Sequence, residues 1–245
     1  MARTAIVTGG ASGIGRAISL RLARDGADVA ILDLDTAGAE RVAGEVSALG
    51  RRAIAVETDV ASSASVARAA ERVHAALGPA AILVNDAGVA SFIPLLQMSE
   101  EEWDRMIAVH LKGTFNCTRA FLGDMTAAGW GRIVNLSSVA GIRGGPTLSH
   151  YAAAKAGIIG FTKAIALEVG AMGITVNAIA PGLIDTPLLK ASKMPEEIIQ
   201  FAIGQTVVGR IGVPDDIASA AAWLVSEEAS FVTGQVVSPN GGTLV

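Results

Sequence analysis

The chain has 245 residues, of which 51% are hydrophobic and only 17% are charged. This composition excludes a largely disordered protein, because disorder requires low hydrophobicity and a high net charge. The formal charge is −4 and the sequence contains no basic cluster, so nucleic acid is not expected as a partner.

The scarcity of cysteine and histidine argues against disulfides and metal sites. Cys117 is the single cysteine, which fits a reducing compartment. The three histidines, His74, His110 and His150, lie too far apart in sequence for the usual spacing of metal ligands. No run approaches the roughly 20 apolar residues of a membrane span, and a strand-like stretch begins at residue 4, which leaves no room for a signal peptide. We therefore expect a cytoplasmic protein without a metal or a membrane partner.

Short apolar runs alternate with stretches of helical periodicity along the whole chain. The predicted strands are residues 4–8, 29–33, 53–58, 82–85, 132–136, 175–180 and 234–237. The predicted helices are residues 13–26, 36–49, 62–77, 99–126, 150–169 and 214–225. The third of these ends before Gly78-Pro79, and the fourth begins with a capping box formed by Ser99 and Glu102.

This alternation of strands and helices indicates βαβ units, and therefore a parallel sheet covered by helices on both faces. We predict an α/β fold, a single doubly wound domain over residues 1–245 with a central parallel sheet of about seven strands. The one long irregular stretch runs from Pro181 to about Glu196. Ligands bind at the carboxyl edge of such sheets, so we expect a substrate lid at about residues 183–206.

A glycine-rich turn, Thr8-Gly9-Gly10-Ala11-Ser12-Gly13-Ile14-Gly15, follows the first predicted strand. Glycines let a backbone approach a pyrophosphate, whose charge is favoured at the N-terminus of the next helix. The strict G-x-G-x-x-G pattern is not met, because Ile18 stands where the third glycine would fall. A purely connecting turn is the alternative, but the position between a strand and a helix favours dinucleotide binding.

Asp33 ends the second predicted strand, where an acidic residue hydrogen-bonds the ribose 2′-hydroxyl of a dinucleotide. A carboxylate there repels a 2′-phosphate, and neither Ser12 nor Leu34 is basic. NAD is therefore favoured over NADP. The alternative is an ordinary solvated acid at the end of a strand.

Further motifs follow in order: Asn85-Asp86-Ala87-Gly88, Ser138, Tyr151-x-x-x-Lys155 and Pro181-Gly182. With the glycine-rich turn they resemble the short-chain dehydrogenase/reductase family, and the resemblance extends from residue 4 to Gly241-Gly242. It implies a Rossmann-type fold, a nicotinamide cofactor and a homotetramer.

The resemblance also implies catalytic roles. Tyr151, the only tyrosine of the chain, would exchange a proton with the substrate oxygen. Lys155 lies on the same helical face. It would lower the phenol pKa from about 10 and bond the nicotinamide ribose. Ser138 would hold the substrate oxygen.

The implied cofactor contacts follow the carboxyl edge of the sheet. The expected set is Gly9, Ser12, Gly13, Ile14 and Gly15 at the pyrophosphate, Asp33 at the ribose, Asp59 and Val60 at the adenine, Asn85, Ala87 and Gly88 on the adenosine side, Tyr151 and Lys155 at the nicotinamide ribose, and Pro181, Gly182, Ile184 and Thr186 at the nicotinamide.

Two residues depart from the family pattern. Asp86 stands where the family usually has asparagine, so the local hydrogen bonding must differ. His110 stands where the family often has an asparagine that supports a water next to the active-site lysine. A histidine titrating near neutrality could relay protons through that water, so we include His110 among the catalytic candidates. The alternative is a histidine that only packs.

The leading function is an NAD-dependent oxidoreductase that interconverts a secondary alcohol and a ketone. The first alternative is a 3-oxoacyl-thioester reductase acting on an acyl carrier protein or CoA substrate with NADPH. A catalytically silent dinucleotide-binding sensor is the second, and the presence of Ser138, Tyr151 and Lys155 argues against it. The expected substrate walls are residues 89–92 and 142–145, Thr147, His150 and the loop from about Leu183 to Met194. They are mostly apolar apart from Arg143, His150, Lys190 and Lys193. Arg143 could clamp a carboxylate, and the alternative is an ordinary surface arginine.

Overall fold

A sheet of seven parallel strands lies at the centre of the structure, a computed structural model that describes residues 2–191 and 196–244. The strand order is β3-β2-β1-β4-β5-β6-β7. The strands are β1 (Thr4–Thr8), β2 (Asp28–Asp33), β3 (Ala53–Glu57), β4 (Ala80–Asn85), β5 (Gly131–Leu136), β6 (Ile174–Ile179) and β7 (Val236–Val237). The predicted α/β class and the doubly wound parallel sheet are confirmed. The first strand has the predicted bounds, and the ends of the other six differ from the prediction by at most two residues.

Ten α-helices lie between these strands within the described residues. They are α1 (Gly13–Arg24), α2 (Thr36–Ala48), α3 (Ser63–Leu77), α4 (Glu100–Ile107), α5 (Gly113–Ala128), α6 (Ala140–Arg143), α7 (Ser149–Val169), α8 (Pro187–Ala191), α9 (Glu196–Gly204) and α10 (Pro214–Val225). No helix in the described part of the chain is long and apolar enough to cross a membrane.

The sheet separates two hydrophobic cores. Successive residues of a strand point to opposite faces, so Ala5 and Val7 pack with α1, α2 and α10, whereas Ile6 packs with α3, α5 and α7. All five residues of β1 are buried. This double burial explains why the strand sequences are continuous apolar runs rather than alternating ones.

The helix predicted over residues 99–126 is interrupted in the structure. Ser99 caps its start, with the hydroxyl oxygen accepting a hydrogen bond from the backbone N–H of Glu102 at 3.2 Å. A π-helical turn, Ala108–Lys112, then separates α4 from α5. No proline interrupts residues 99–126, so the sequence did not indicate this turn. Such turns are frequent at functional sites, and this one carries His110.

The stretch from Pro181 to Glu196, predicted to be irregular, contains the short helix α8. Pro187 begins this helix, where a missing backbone N–H does no harm, and the Thr186 hydroxyl accepts a hydrogen bond from the Leu189 N–H at 3.2 Å. Helix α9 begins at Glu196, where that stretch ends, and lies within the predicted lid. Part of the predicted lid, residues 192–195, lies outside the described residues, so a lid at 183–206 stays a prediction.

The strand order reverses next to β1, which is where ligands bind in open α/β sheets. From β1 the chain continues outward to β2 and β3 on one side, and it then crosses back to β4 on the other side of β1. The loops that follow β1, β2 and β4 therefore meet at one edge. Beneath this edge Asn135 of β5 joins two neighbours, accepting from the Asn85 amide at 2.8 Å and donating to the Thr162 hydroxyl at 2.9 Å.

Candidate active site

A cavity of about 1220 Å³ runs along the carboxyl edge of the sheet. Its walls come from the loops after β1, β2, β3, β4, β5 and β6, together with residues of α7 to α9. Nearly every residue predicted from the sequence to act in catalysis or cofactor binding lines it: Gly9, Ser12, Gly13, Ile14, Asp33, Asp59, Val60, Ala87, Gly88, His110, Ser138, Tyr151, Lys155, Pro181, Gly182, Ile184 and Thr186.

Two predicted cofactor residues, Gly15 and Asn85, do not line this cavity. The Asn85 side chain points into the protein and donates to Asn135 and Thr118 at 2.8 and 3.3 Å. Gly15 is the third residue of α1 and is buried. The Asn85 amide thus joins β4 to β5 and α5, and its expected place on the adenosine side stays a prediction.

At two positions of the glycine-rich turn the backbone leaves no room for a Cβ atom. Gly9 has a φ of +67°, and a Cβ there would lie 2.8 Å from the Cα of Ala87. A Cβ on Gly15 would lie 2.2 Å from the carbonyl oxygen of Gly9. The turn thus brings its backbone close to the loop after β4. The Thr8 hydroxyl joins the two by accepting hydrogen bonds from the N–H groups of Asp86 and Ala87, both at 3.1 Å.

The N-terminus of α1 has the features of an anion site. Ser12 is its N-cap residue, yet the Ser12 side chain makes no capping hydrogen bond. Helix N-termini carry partial positive charge and unpaired N–H groups. The first turn of α1 contains no acidic residue, and Ser12, Gly13 and Ile14 line the cavity. These residues therefore fit the pyrophosphate of a dinucleotide.

Asp33 lies at the end of β2 and lines the same cavity. Its carboxylate accepts hydrogen bonds from the backbone N–H groups of Ala11 and Asp35, both at 3.0 Å. The next residue, Leu34, is 67% exposed. The arginine and lysine side chains that line the cavity belong to α4, α6 and α7. Within the described residues, the loops directly after β1 and β2 contribute no basic side chain to the cavity. A carboxylate held in this way fits the hydroxyls of a ribose better than a ribose phosphate.

At the other end of the cavity, Ser138, Tyr151 and Lys155 lie together. The Ser138 side chain hydrogen-bonds Tyr151, and the Lys155 Nζ lies 5.6 Å from the centroid of the Tyr151 ring. The Lys155 ammonium donates to the Leu136 carbonyl at 2.6 Å, and the Ser137 hydroxyl donates to the Lys155 carbonyl at 2.8 Å. These two bonds join α7 to the end of β5, which fixes the lysine in the site.

Burial raises the pKa of Tyr151 above its ordinary value. The hydrogen bond from Ser138 opposes this effect, and the negative charge of Asp86 adds to it. The expectation that Lys155 lowers the phenol pKa is not met by the protein itself, because burial outweighs it. Burial lowers the pKa of Lys155 to about 8, with Asp86 opposing, so the lysine loses its charge before the phenol ionises. Tyr151 is therefore a protonated phenol at neutral pH.

The sequence assigns no role to Asp86, whereas the structure places it inside the site. Its side chain lines the cavity and its carboxyl group accepts a hydrogen bond from the Gly15 N–H. Burial raises the pKa of Asp86 to about 7, opposed by the charge of Lys155 and by the Gly15 bond, and Asp33 raises it further. The only sequence signal was the departure from the asparagine of the family motif.

His110 packs edge-on against Tyr151, with ring centroids 5.3 Å apart. Its Nε2 lies 2.8 Å from the carbonyl oxygen of Val89, and Nδ1 is buried without a partner among the described residues. Burial lowers the pKa of His110 well below its usual range, and the charge of Lys155 adds to this. The expectation that His110 titrates near neutrality is corrected, because the imidazole is held neutral. A proton-relay role for His110 stays a prediction.

The apolar wall of the cavity was only partly predicted. Phe92 and Arg143, both expected, line it, whereas Ile142 does not. Leu188 of α8 and Phe201 of α9 complete this wall and are 44% and 69% exposed. His150 is fully buried, and its Nε2 lies 2.9 Å from the Ser91 hydroxyl oxygen. Lys193 and Met194, which were also expected in this wall, lie outside the described residues.

Comparison with known proteins identifies the family. The family model described as Enoyl-(Acyl carrier protein) reductase matches residues 9–243. The chain is 42% identical over 240 residues to (2S)-[(R)-hydroxy(phenyl)methyl]succinyl-CoA dehydrogenase subunit BbsD of Thauera aromatica, covering 98% of this chain and 96% of that one. The chain belongs to the short-chain dehydrogenase/reductase family.

Other members of the family are equally similar. The 3-oxoacyl-[acyl-carrier-protein] reductase FabG of Pseudomonas aeruginosa is 41% identical over 240 residues, which cover 98% of this chain and 96% of the relative. The (3R)-3-hydroxyacyl-CoA dehydrogenase of Canis lupus familiaris is 42% identical over 247 residues, which cover 97% of this chain and 95% of the relative. The chain is thus an oxidoreductase of a family that binds nicotinamide dinucleotides.

The single tyrosine makes the ionisation of the site directly measurable. We expect the phenolate absorbance of the cofactor-free protein to appear only above pH 10, since burial and Asp86 both raise the Tyr151 pKa. The Asp86→Asn substitution should move this titration to lower pH, whereas Asp25→Asn, at the far end of α1, should not. Ionisation of Tyr151 well below pH 10 in the unmodified free protein would contradict this prediction.

Proposed function

We propose that this protein is an NAD-dependent oxidoreductase that interconverts a secondary alcohol and a ketone. The observation that carries the proposal is one cavity with Ser138, Tyr151 and Lys155 at one end and Asp33 at the other. Strands β1 and β4 lie between β2, which ends at Asp33, and β5, which precedes Ser138. An extended nicotinamide dinucleotide along this edge would place its adenosine ribose at Asp33 and its nicotinamide near Ser138 and Tyr151. When bound, its nicotinamide accepts or supplies the hydride.

The chain's own residues handle the oxygen and the proton. In ketone reduction the Tyr151 phenol donates its proton to the substrate oxygen as the hydride reaches the carbonyl carbon. The Ser138 hydroxyl holds the same oxygen and stabilises the charge that develops on it. Alcohol oxidation runs in reverse, with Tyr151 accepting the proton. The protonated phenol of the free protein is the form that reduction requires.

Support for NAD comes from the charge at the end of β2. A 2′-phosphate would approach the Asp33 carboxylate. In the described part of the chain, the loop after β2 contributes no lysine or arginine to the cavity that could offset the repulsion. The alternative, a 3-oxoacyl-thioester reductase that uses NADPH, is favoured by the similarity to FabG proteins. The two proposals differ chiefly in cofactor, because a 3-hydroxyacyl thioester is itself a secondary alcohol.

The apolar wall favours a substrate with a hydrophobic chain. Phe92, Leu188 and Phe201 line the cavity although each is at least 40% exposed. Two of the relatives are named as dehydrogenases of CoA thioesters. We therefore propose 3-hydroxyacyl thioesters as the first substrate class to test.

Turnover with matched substrates tests this function. We expect the purified protein to reduce NAD with 3-hydroxybutyryl-CoA and to oxidise NADH with the corresponding 3-oxo thioester. The Tyr151→Phe substitution should lower kcat by about 100-fold or more while NADH still binds, since it removes only the acid/base group. Binding of NADH without turnover on thioesters or on a panel of simple secondary alcohols would instead favour the silent sensor.

The cofactor preference tests the role of Asp33. We expect kcat/KM to favour NAD over NADP by at least about tenfold, which corresponds to roughly 1.4 kcal/mol. Replacing Asp33 by alanine together with Leu34→Arg should shift the preference towards NADP. As a matched control, Asp35→Asn removes a charge two residues away, keeps a capping side chain for α2 and should leave the preference unchanged. Equal use of both cofactors by the unmodified protein would refute this role.

A further inference from the structure

Asp86 caps helix α1 from outside the helix. The N-cap residue Ser12 provides no side-chain bond, whereas the Asp86 carboxyl group accepts a hydrogen bond from the N–H of Gly15, the third residue of α1. A Cβ on Gly15 would lie only 2.8 Å from the Asp86 Oδ2. The Thr8 hydroxyl fixes the Asp86 backbone from below, at 3.1 Å. A carboxyl group is thus held at the N-terminus to which the pyrophosphate is assigned.

Groups on three neighbouring elements determine the charge of Asp86. Lys155 of α7 stabilises its carboxylate, whereas Asp33 at the end of β2 destabilises it. Tyr151, also on α7, responds to the Asp86 charge, and burial raises the pKa of its phenol above the ordinary value. The first turn of α1 contributes no acidic side chain. With burial as the largest effect, the pKa of Asp86 lies near 7, so the free protein holds a mixture of carboxylate and carboxylic acid at neutral pH.

A pyrophosphate changes this balance. It adds negative charge at the helix end that the Asp86 carboxylate already occupies, and like charges disfavour each other's ionised form. Ser12, Gly13 and Ile14 line the cavity at the start of α1, so a pyrophosphate bound there and the Asp86 carboxylate would share one helix terminus.

We propose that Asp86 takes up a proton when a dinucleotide binds to this chain. The proton passes from solvent to a carboxylate oxygen, and no bond of the ligand is made or broken. This inference rests on the proposed dinucleotide site. Because the carboxyl group is more basic in the complex than in the free protein, affinity must fall as pH rises through the range between the two ionisations, by at most tenfold per pH unit.

Lys155 is the competing proton acceptor, because added negative charge would also favour its ammonium form. Substituting Lys155→Met removes this possibility. It also removes the charge that stabilises the Asp86 carboxylate, so the pH window of proton uptake should move upward in this variant. If Lys155 were the acceptor, proton uptake would disappear in it instead.

Calorimetric titration with ADP-ribose tests the proposal. ADP-ribose carries the pyrophosphate without the charged nicotinamide, and comparing buffers of different ionisation enthalpy gives the number of protons exchanged on binding. Between pH 7 and 9 we expect the unmodified protein to take up a substantial fraction of one proton. The Lys155→Met variant should also take up a proton when it binds ADP-ribose, but at higher pH. Its Kd for ADP-ribose should rise several-fold as the pH rises through that window.

The Asp86→Asn/Lys155→Met double variant should exchange no protons and keep a constant Kd, because asparagine retains an acceptor for the Gly15 N–H but does not ionise. The matched control, Asp25→Asn/Lys155→Met, should behave like Lys155→Met alone. Binding of ADP-ribose without proton uptake by the unmodified protein, or uptake that persists in the Asp86 double variant, would overturn the proposal. Failure of ADP-ribose to bind at any pH would refute the dinucleotide site as well.

Discussion

The start of helix α1 is the feature on which the rest of the site depends. Its first turn has no local side-chain cap, and the glycines before it let the backbone pack against the loop after β4. Because all seven strands are parallel, their carboxyl ends lie at one edge. The ends of β1, β2 and β4 therefore bring the glycine-rich turn, Asp33 and Asp86 together around one helix terminus. A sequence change that capped α1 locally would compete with the ligand.

Burial governs the chemistry at the other end of the cavity. Low dielectric disfavours every charged form, so it raises the pKa values of Tyr151 and Asp86 and lowers those of Lys155 and His110. The free protein thus keeps the phenol protonated and the imidazole neutral. Asp86 and Lys155 stabilise each other's charged forms within this environment. The two are the groups whose protonation a charged ligand would change most.

Much of the fold and site could be predicted from the sequence. The apolar runs located all seven strands, since residues buried on both faces leave a clear pattern. The glycine-rich turn, Asp33 and Tyr151-x-x-x-Lys155 indicated residues that the structure places in one cavity. The π-helical turn at His110 and the helix α8 after Pro181 left no such pattern. Neither the inward orientation of Asn85 nor the balance of burial and charge at Tyr151 is visible in sequence spacing, because both depend on neighbours from distant segments.

The central claim is that the N-terminus of α1 receives the pyrophosphate of a dinucleotide whose adenosine ribose lies at Asp33. A crystal structure of the complex with NADH measures this most directly. The account predicts phosphate oxygens within hydrogen-bond distance of the backbone N–H groups of the glycine-rich turn, and ribose hydroxyls donating to the Asp33 carboxylate. A complex in which the phosphates lie away from this turn, with Asp33 making no contact to the ribose, would contradict it.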